Sequence, residues 1–161
     1  MLSRFRTECY TGFGVALIVG LVLSWIWQPE RQVRRHTEAL FQAIERGNWD
    51  DLSSFIASDY RDQWGHNRAR VMERIRAFGY LGEVRINSPR SSVQIDHRRG
   101  KWTGKIAIEP NHGEVAIFIK EHINSATIPF ELEWHRLSIK PWDWKLVRVS
   151  NSDLDIPNGG Y

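Results

Sequence analysis

The residues that could carry chemistry are concentrated in one acidic and aromatic segment, DYRDQW, at positions 59–64. A carboxylate beside aromatic rings is typical of small-molecule pockets, in which the acid fixes or deprotonates a ligand that the rings enclose. Asp59, Tyr60 and Trp64 are therefore candidate residues of a pocket rim. Asp59 and Asp62 could instead turn the chain by bonding to nearby backbone amides. Both interpretations stay open.

His36 is the other candidate pocket residue, because it lies beside the apolar face of the first predicted helix. The interpretation that we favour for it is a half-buried residue of that helix. Asp50 and Asp51 have a structural explanation. They follow Asn48, a good N-cap, and so lie in the first turn of a helix, where carboxylates complement the helix dipole.

The remaining histidines and the cysteine do not indicate a metal site. The chain has six histidines and one cysteine, Cys9, and no pair of histidines has ligand spacing on one element. His66 is expected in solvent, beside the N-terminus of a helix. Since the sequence has no phosphate-binding glycine loop and no nucleophile motif, no cofactor is predicted either.

The elements that must position these residues begin with three helices. VRRHTEALFQAIERG, residues 33–47, has apolar residues at helical spacing and ends at Gly47. A second helix starts after Asn48 and buries an apolar face. A third follows Asn67 and ends at Gly79, a residue type that favours helix ends.

After Gly82 the apolar residues alternate, which indicates strands. The predicted strands lie around residues 84–86, 93–95, 102–108, 115–119, 128–134 and 144–150, with Gly104 as a bend. Helices first and strands afterwards predict an α+β fold, in which three helices pack on a curved, mainly antiparallel sheet.

The stretch ALFQAIERGNWDDLSSFIASDY resembles the opening of the nuclear transport factor 2-like superfamily, which includes SnoaL-like domains. The matching elements are a helix that ends at Gly47, a second helix at Asp50, and Asp59 with Tyr60 after it. The closing WKLVRVSNSDL is similar to the last strand of that family. The resemblance implies a cone with a pocket at its open end, and members include enzymes, scaffolds and transport factors.

An uncharged run from Cys9 to Pro29 precedes the predicted cone. About 21 residues at roughly 1.5 Å each would span a bilayer core of about 30 Å. Trp25 and Trp27 lie at one end of the run, where such rings favour the membrane interface. LSWIWQPE offers no cleavage site for a signal peptidase, so we expect an uncleaved, single-pass anchor rather than a signal peptide.

The predicted organisation follows from these signals. Residues 1–10 form a short tail, 11–28 the transmembrane anchor, 29–32 a linker, 33–157 the SnoaL-like cone domain and 158–161 a tail. We expect the inner membrane as location, with the cone outside the cytoplasm. The net charge of +3 is spread along the chain, so nucleic acid is not an expected partner.

Two function classes remain open. The first is a membrane-tethered, non-enzymatic cone that binds a small ligand or a protein partner, either a second copy or an envelope protein. The second is a small-molecule lyase, isomerase or hydrolase with Asp59 or His36 as base. A further interpretation has Trp142 and Trp144 bind the envelope surface, although Trp144 is expected in the core.

Overall fold

The computed structural model describes residues 16–22, 25–79, 84–110, 120–121 and 123–154. These residues form an α+β cone, and its three predicted helices are confirmed. Residues 16–22 are helical as well. The three helices are α1 (Pro29–Glu45), α2 (Trp49–Phe55) and α3 (Arg68–Gly79), and the strands are β1 (Val84–Asn87), β2 (Ser91–Asp96), β3 (Arg99–Gly104), β4 (Ala107–Pro110), β5 (Phe130–Arg136) and β6 (Trp144–Ser150).

Helix α1 begins at Pro29, so the predicted linker 29–32 is its first turn rather than a connection. Proline suits this position because the first turn of a helix does not use its N–H groups and needs the φ that proline fixes. Gln32 is buried in this turn, and its side-chain amide donates to the carbonyl of Ile26 at 3.0 Å. The sequence analysis placed Pro29 in a linker and missed its use as a helix start.

The junction of α1 and α2 follows the sequence prediction. Gly47 has a φ of 62°, and its N–H donates to the carbonyl of Ile44 at 3.1 Å. The N–H of Asn48 donates to Ala43 at 2.9 Å, which completes a Schellman motif. The Asn48 side chain then accepts the N–H of Asp51 at 3.3 Å and caps α2.

The strands form two antiparallel sheets. The larger has the order β2-β3-β5-β6, and β1 pairs with β4 in a two-stranded sheet. The prediction of one strand over residues 102–108 was wrong, because the chain changes sheets after Gly104. The predicted strand at residues 115–119 lies outside the described residues. Ile128 precedes β5 rather than belonging to it, and its side chain is exposed.

Helix α1 crosses the inner face of the larger sheet at a close approach. A Cβ atom on Gly100 would lie 2.5 Å from Cγ2 of Val33 and 3.3 Å from the Trp144 ring. Glycine is therefore required at this point of β3 for steric reasons. Trp134 and Trp144 are buried beside this contact, as the sequence predicts for Trp144.

The predicted membrane anchor, 11–28, is described in part, because residues 11–15 and 23–24 lie outside the described residues. Among the residues that are described, no helix is long and apolar enough to cross a membrane. The large apolar side chains of residues 17–22 are exposed, with exposed fractions from 48% for Val22 to 62% for Leu21.

Candidate functional site

A cavity of about 480 Å³ lies inside the cone, between α1, α3 and the sheets. This volume is in the range of sites for small organic molecules. Its walls are mainly aliphatic and aromatic. The lining residues are Leu40, Phe41, Ile44, Ile56, Tyr60, Asp62, Trp64, His66, Val71, Arg74, Ile75, Ile86, Ile106, Ile108, Ile123, Phe130, Leu132, Leu146, Val149 and Leu154.

Most of the polar lining groups come from one loop, residues 57–67, between α2 and α3. The loop runs along strand β6 and is held by backbone hydrogen bonds. The N–H groups of Ala57, Arg61 and Gln63 donate to carbonyls of β6, at distances of 2.9, 3.0 and 3.1 Å. Because β6 belongs to the rigid sheet, this contact fixes the side chains that the loop presents to the cavity.

Asp62 and His66 form a buried pair in this loop. Oδ2 of Asp62 lies 2.8 Å from Nδ1 of His66, and both side chains are almost wholly buried. Oδ1 of Asp62 accepts the backbone N–H groups of His66 at 2.7 Å and of Trp64 at 3.0 Å. Both oxygens of the carboxylate are therefore engaged as acceptors, and Nδ1 of His66 is the donor to Oδ2.

The other ring nitrogen of His66 has no such partner. Nε2 is buried and makes no hydrogen bond to any residue that the structure describes. In a neutral imidazole whose Nδ1 carries the proton, Nε2 is an acceptor, and an unsatisfied buried polar atom costs about 1–3 kcal/mol. The ring lines the cavity, but Nε2 is covered by neighbouring groups, so a ligand must displace one of them to reach it.

Tyr60 lines the cavity from the start of the same loop and is 2% exposed. Burial raises the pKa of its phenol above the usual value, and the Asp62 carboxylate nearby raises that pKa further. The phenol therefore stays protonated at neutral pH. It can donate a hydrogen bond, but it cannot act as a base.

A second set of polar contacts ties this loop to residues 151–154. The indole N–H of Trp64 donates to the carbonyl of Leu154 at 2.8 Å. Oε1 of Gln63 accepts the N–H of Asn151 at 2.9 Å, and the side-chain amide of Asn151 donates to Ile128 at 2.8 Å. Trp64 thus presents an apolar ring to the cavity while its one polar atom is engaged.

The four residues predicted for the pocket rim lie in different places. Tyr60 and Trp64 line the cavity, whereas Asp59 is exposed and is not among its lining residues. His36 lies outside the cavity lining too. Its Nδ1 donates to the carbonyl of Gln32 at 2.8 Å. Its ring packs edge-on against Phe55 and Trp134, so it is a half-buried helix residue, as the favoured interpretation had it.

Sequence reasoning missed the Asp62–His66 pair and wrongly placed His66 in solvent. The two residues are four apart in a loop, with Gly65 between them at a φ of 83°. This left-handed glycine lets the chain fold back over the Asp62 carboxylate. The available signal was the order Asp-x-x-Gly-His within an acidic, aromatic segment.

Comparison with known proteins rests on structure alone. No protein-family model matches this sequence, and no curated protein matches it. Bd1075 from Bdellovibrio bacteriovorus superposes with a TM-score of 0.59 and 9% identity over 78% of this chain. The match covers 40% of Bd1075, so this chain spans less than half of that protein.

Two NTF2-like proteins match over most of their own length. One, from Streptomyces avermitilis, has a TM-score of 0.58 and 15% identity over 75% of this chain and 93% of its own. The other, a protein of unknown function from Pseudomonas putida KT2440, has a TM-score of 0.55 and 11% identity over 74% of this chain and 82% of its own. The chain therefore has the nuclear transport factor 2-like (NTF2-like) fold.

Proposed function

We propose that this chain is a membrane-tethered cone domain that binds an apolar small molecule in its interior. The observation that carries the proposal is the cavity of about 480 Å³ with a mainly apolar lining. A ligand that fills it would gain about 25 cal/mol for each Å² of apolar surface removed from water. The walls offer few polar groups, which favours a largely hydrocarbon ligand with little hydrogen-bonding capacity.

Binding is better supported than catalysis because several polar groups at the cavity are already hydrogen-bonded within the protein, and the unpartnered Nε2 of His66 is covered. Asp62 uses both carboxylate oxygens, and the indole N–H of Trp64 is bonded to a backbone carbonyl. Asp59 and His36, the bases of the enzyme hypothesis, do not line the cavity. That hypothesis therefore loses the residues on which it was based.

A cavity-filling variant with a matched control tests the binding proposal. Val149 on β6 lines the cavity, whereas Val147 on the same strand does not. We expect Val149→Phe to weaken binding of a fluorescent hydrophobic probe such as 8-anilinonaphthalene-1-sulfonate by about tenfold, a loss of about 1.4 kcal/mol. Val147→Phe should leave binding unchanged. Equal titration curves for both variants would overturn the proposal.

A second candidate function is general-base catalysis by the Asp62–His66 pair. The specific observation in its favour is a buried imidazole whose Nδ1 is held by a carboxylate and whose Nε2 has no partner among the described residues. A carboxylate that orients an imidazole in this way is a recurring arrangement for a general base. The covered position of Nε2 is the observation against it.

Chemical modification separates these two candidates. A base must be reached by its substrate, so catalysis requires Nε2 of His66 to become accessible in the folded protein. We expect diethyl pyrocarbonate to modify the exposed His97 quickly and His66 slowly, as read by peptide mass spectrometry. Similar rates at both residues would favour the enzyme.

The tether belongs to the proposal as well. It is supported by the uncharged run from Cys9 to Pro29 and by the exposed apolar side chains at 17–22. We propose the bilayer as partner of residues 11–28, with the cone outside the cytoplasm. A C-terminal phosphatase fusion should be active and a fluorescent fusion dark; the opposite pattern would reverse the orientation. A homodimer or an envelope protein partner stays a prediction.

A further inference from the structure

The turn between β5 and β6 exposes large apolar side chains. Leu137, Ile139 and Trp142 have exposed fractions of 55%, 87% and 52%. Turns are usually polar, and apolar groups clustered on a surface mark a contact site. The turn is held by backbone bonds between Leu137 and Asp143 at 3.0 Å and between Asp143 and Lys140 at 3.2 Å. These side chains are therefore held outward by a closed turn.

This turn meets the C-terminal end of the proposed tether. The rings of Trp27 and Trp142 lie 6.2 Å apart between centroids. The guanidinium carbon of Arg31 lies 3.4 Å from the centroid of the Trp25 ring. Trp25 and Trp27 are themselves about half exposed. We call the set Trp25, Trp27, Leu137, Ile139 and Trp142 the apolar collar.

The chemistry of the apolar collar and its surroundings fits the headgroup region of a bilayer. Tryptophan rings favour this region because they combine an apolar body with one polar atom. Arg31, Arg35 and Lys140 lie beside the collar in the chain and supply positive charge that anionic headgroups attract. The exposed apolar helix at residues 16–22 precedes Trp25 and Trp27 in the chain.

We infer that the β5–β6 turn is a second membrane contact, in which Ile139 and Trp142 insert at the lipid headgroup boundary beside the tether. The inference rests on the proposed tether and adds a surface of the cone domain to it. At about 3.3 Å per residue, β5 from Arg136 to Phe130 spans about 20 Å. Because Phe130 lines the cavity, this contact holds the cavity at the end of the sheet that is far from the bilayer.

Site-specific fluorescence on the full chain tests the contact. In a Cys9→Ser background, Ile139→Cys and the control Ser152→Cys each receive an NBD label. Both positions are exposed, and residue 152 lies just beyond the end of β6 that is far from the turn. In vesicles of phosphatidylethanolamine and phosphatidylglycerol, nitroxide-labelled lipid should remove most of the emission at residue 139 and little at residue 152.

Two results would overturn the contact. One is equal quenching at the two positions. The other is a label at residue 139 that is shielded from water but not quenched by lipid, as in a dimer. Alkaline carbonate extraction of the same vesicles tests the tether separately. A retained chain with an unquenched label at 139 overturns the turn contact alone. A released chain with a quenched label supports the contact and overturns the tether. A released chain with an unquenched label overturns both.

Discussion

Strands β5 and β6 carry tryptophan rings at one end, and phenylalanine and aliphatic side chains at the other. At the filled end, by which we mean Val33, Gly100, Trp134 and Trp144, the interior is closed, and the Trp134 and Trp144 side chains are 0% and 1% exposed. At the cavity end, by which we mean Phe130, Val149 and loop 57–67, the same sheet leaves about 480 Å³ empty. Side-chain size along two strands thus separates core from pocket.

The two ends are also stabilised by different forces. The filled end depends on ring packing and on the close approach of α1 at Gly100. The cavity end has a void in place of packing, and polar contacts hold its rim: the Asp62–His66 pair, the Gln63–Asn151 bonds and the Asp153 carboxylate. A void forfeits dispersion contacts, so a cavity of this size requires a rim that is fixed by other means.

The largest expected effect is at the filled end. Trp134→Ala should lower the free energy of unfolding by about 3–5 kcal/mol, because the removed ring leaves a void in a closed core. Chemical denaturation measures this loss. Trp142→Ala removes the same side chain from the exposed turn and should change stability by about 0.5 kcal/mol or less. Similar losses in both variants would contradict the assignment of Trp134 to a closed core.

Next in size is a change to the rim of the cavity. Asp62→Asn removes the charge from the acceptor of His66 Nδ1 and of two backbone N–H groups, so we expect a loss of about 1.5–3 kcal/mol. Hydrogen exchange in loop 57–67 should quicken as well. Asp59→Asn, in the same loop but exposed, is the matched control and should cost about 0.5 kcal/mol or less. Unchanged exchange in the first variant would mean that the pair does not hold the loop.

A smaller effect is the difference in stability lost when side-chain volume is added at the filled end and at the cavity end. Gly100→Ala places a Cβ atom 2.5 Å from Val33 and should cost about 1–3 kcal/mol, since the closed end has no space for it. Val149→Phe adds far more volume at the cavity end, yet it should cost less than Gly100→Ala because the void accepts the ring. Thermal unfolding of both variants measures the order. The reverse order would mean that the cavity closes in solution.

The sequence predicts those features that short-range signals decide. The three helices, the Gly47 and Asn48 caps and the burial of Trp144 follow from periodicity and capping, which act within a few residues. The cavity rim depends on contacts that are distant in the chain, such as Gln63 with Asn151. His66 was placed in solvent because its burial follows from the docking of loop 57–67 on β6. The polarity of a single residue does not contain that information.

The smallest effect concerns pH at the cavity rim. Asp153 is exposed, and its carboxylate accepts the N–H of Ile128, the hydroxyl of Thr127 and the N–H of Thr127, each at 2.7 Å. The pKa of this carboxyl is lowered, first by the Ile128 N–H and then by the Thr127 hydroxyl, because these bonds favour the charged form. The segment before β5 is thereby joined to the segment after β6.

The sign of the pH dependence follows from that lowered pKa. The unfolded chain binds a proton at this carboxyl before the folded chain does, so the stabilisation is present above the unfolded pKa of about 3.9 and is lost as pH falls through the lower folded value. We expect the stability difference between the natural chain and Asp153→Asn to be constant from neutral pH to about pH 5, and to shrink below about pH 4. Denaturant unfolding over this pH range measures the difference. Asp59→Asn, at an exposed position in loop 57–67, is the control. A stability difference that persists below about pH 4 would show that the shape of the side chain, and not its charge, stabilises this part of the rim.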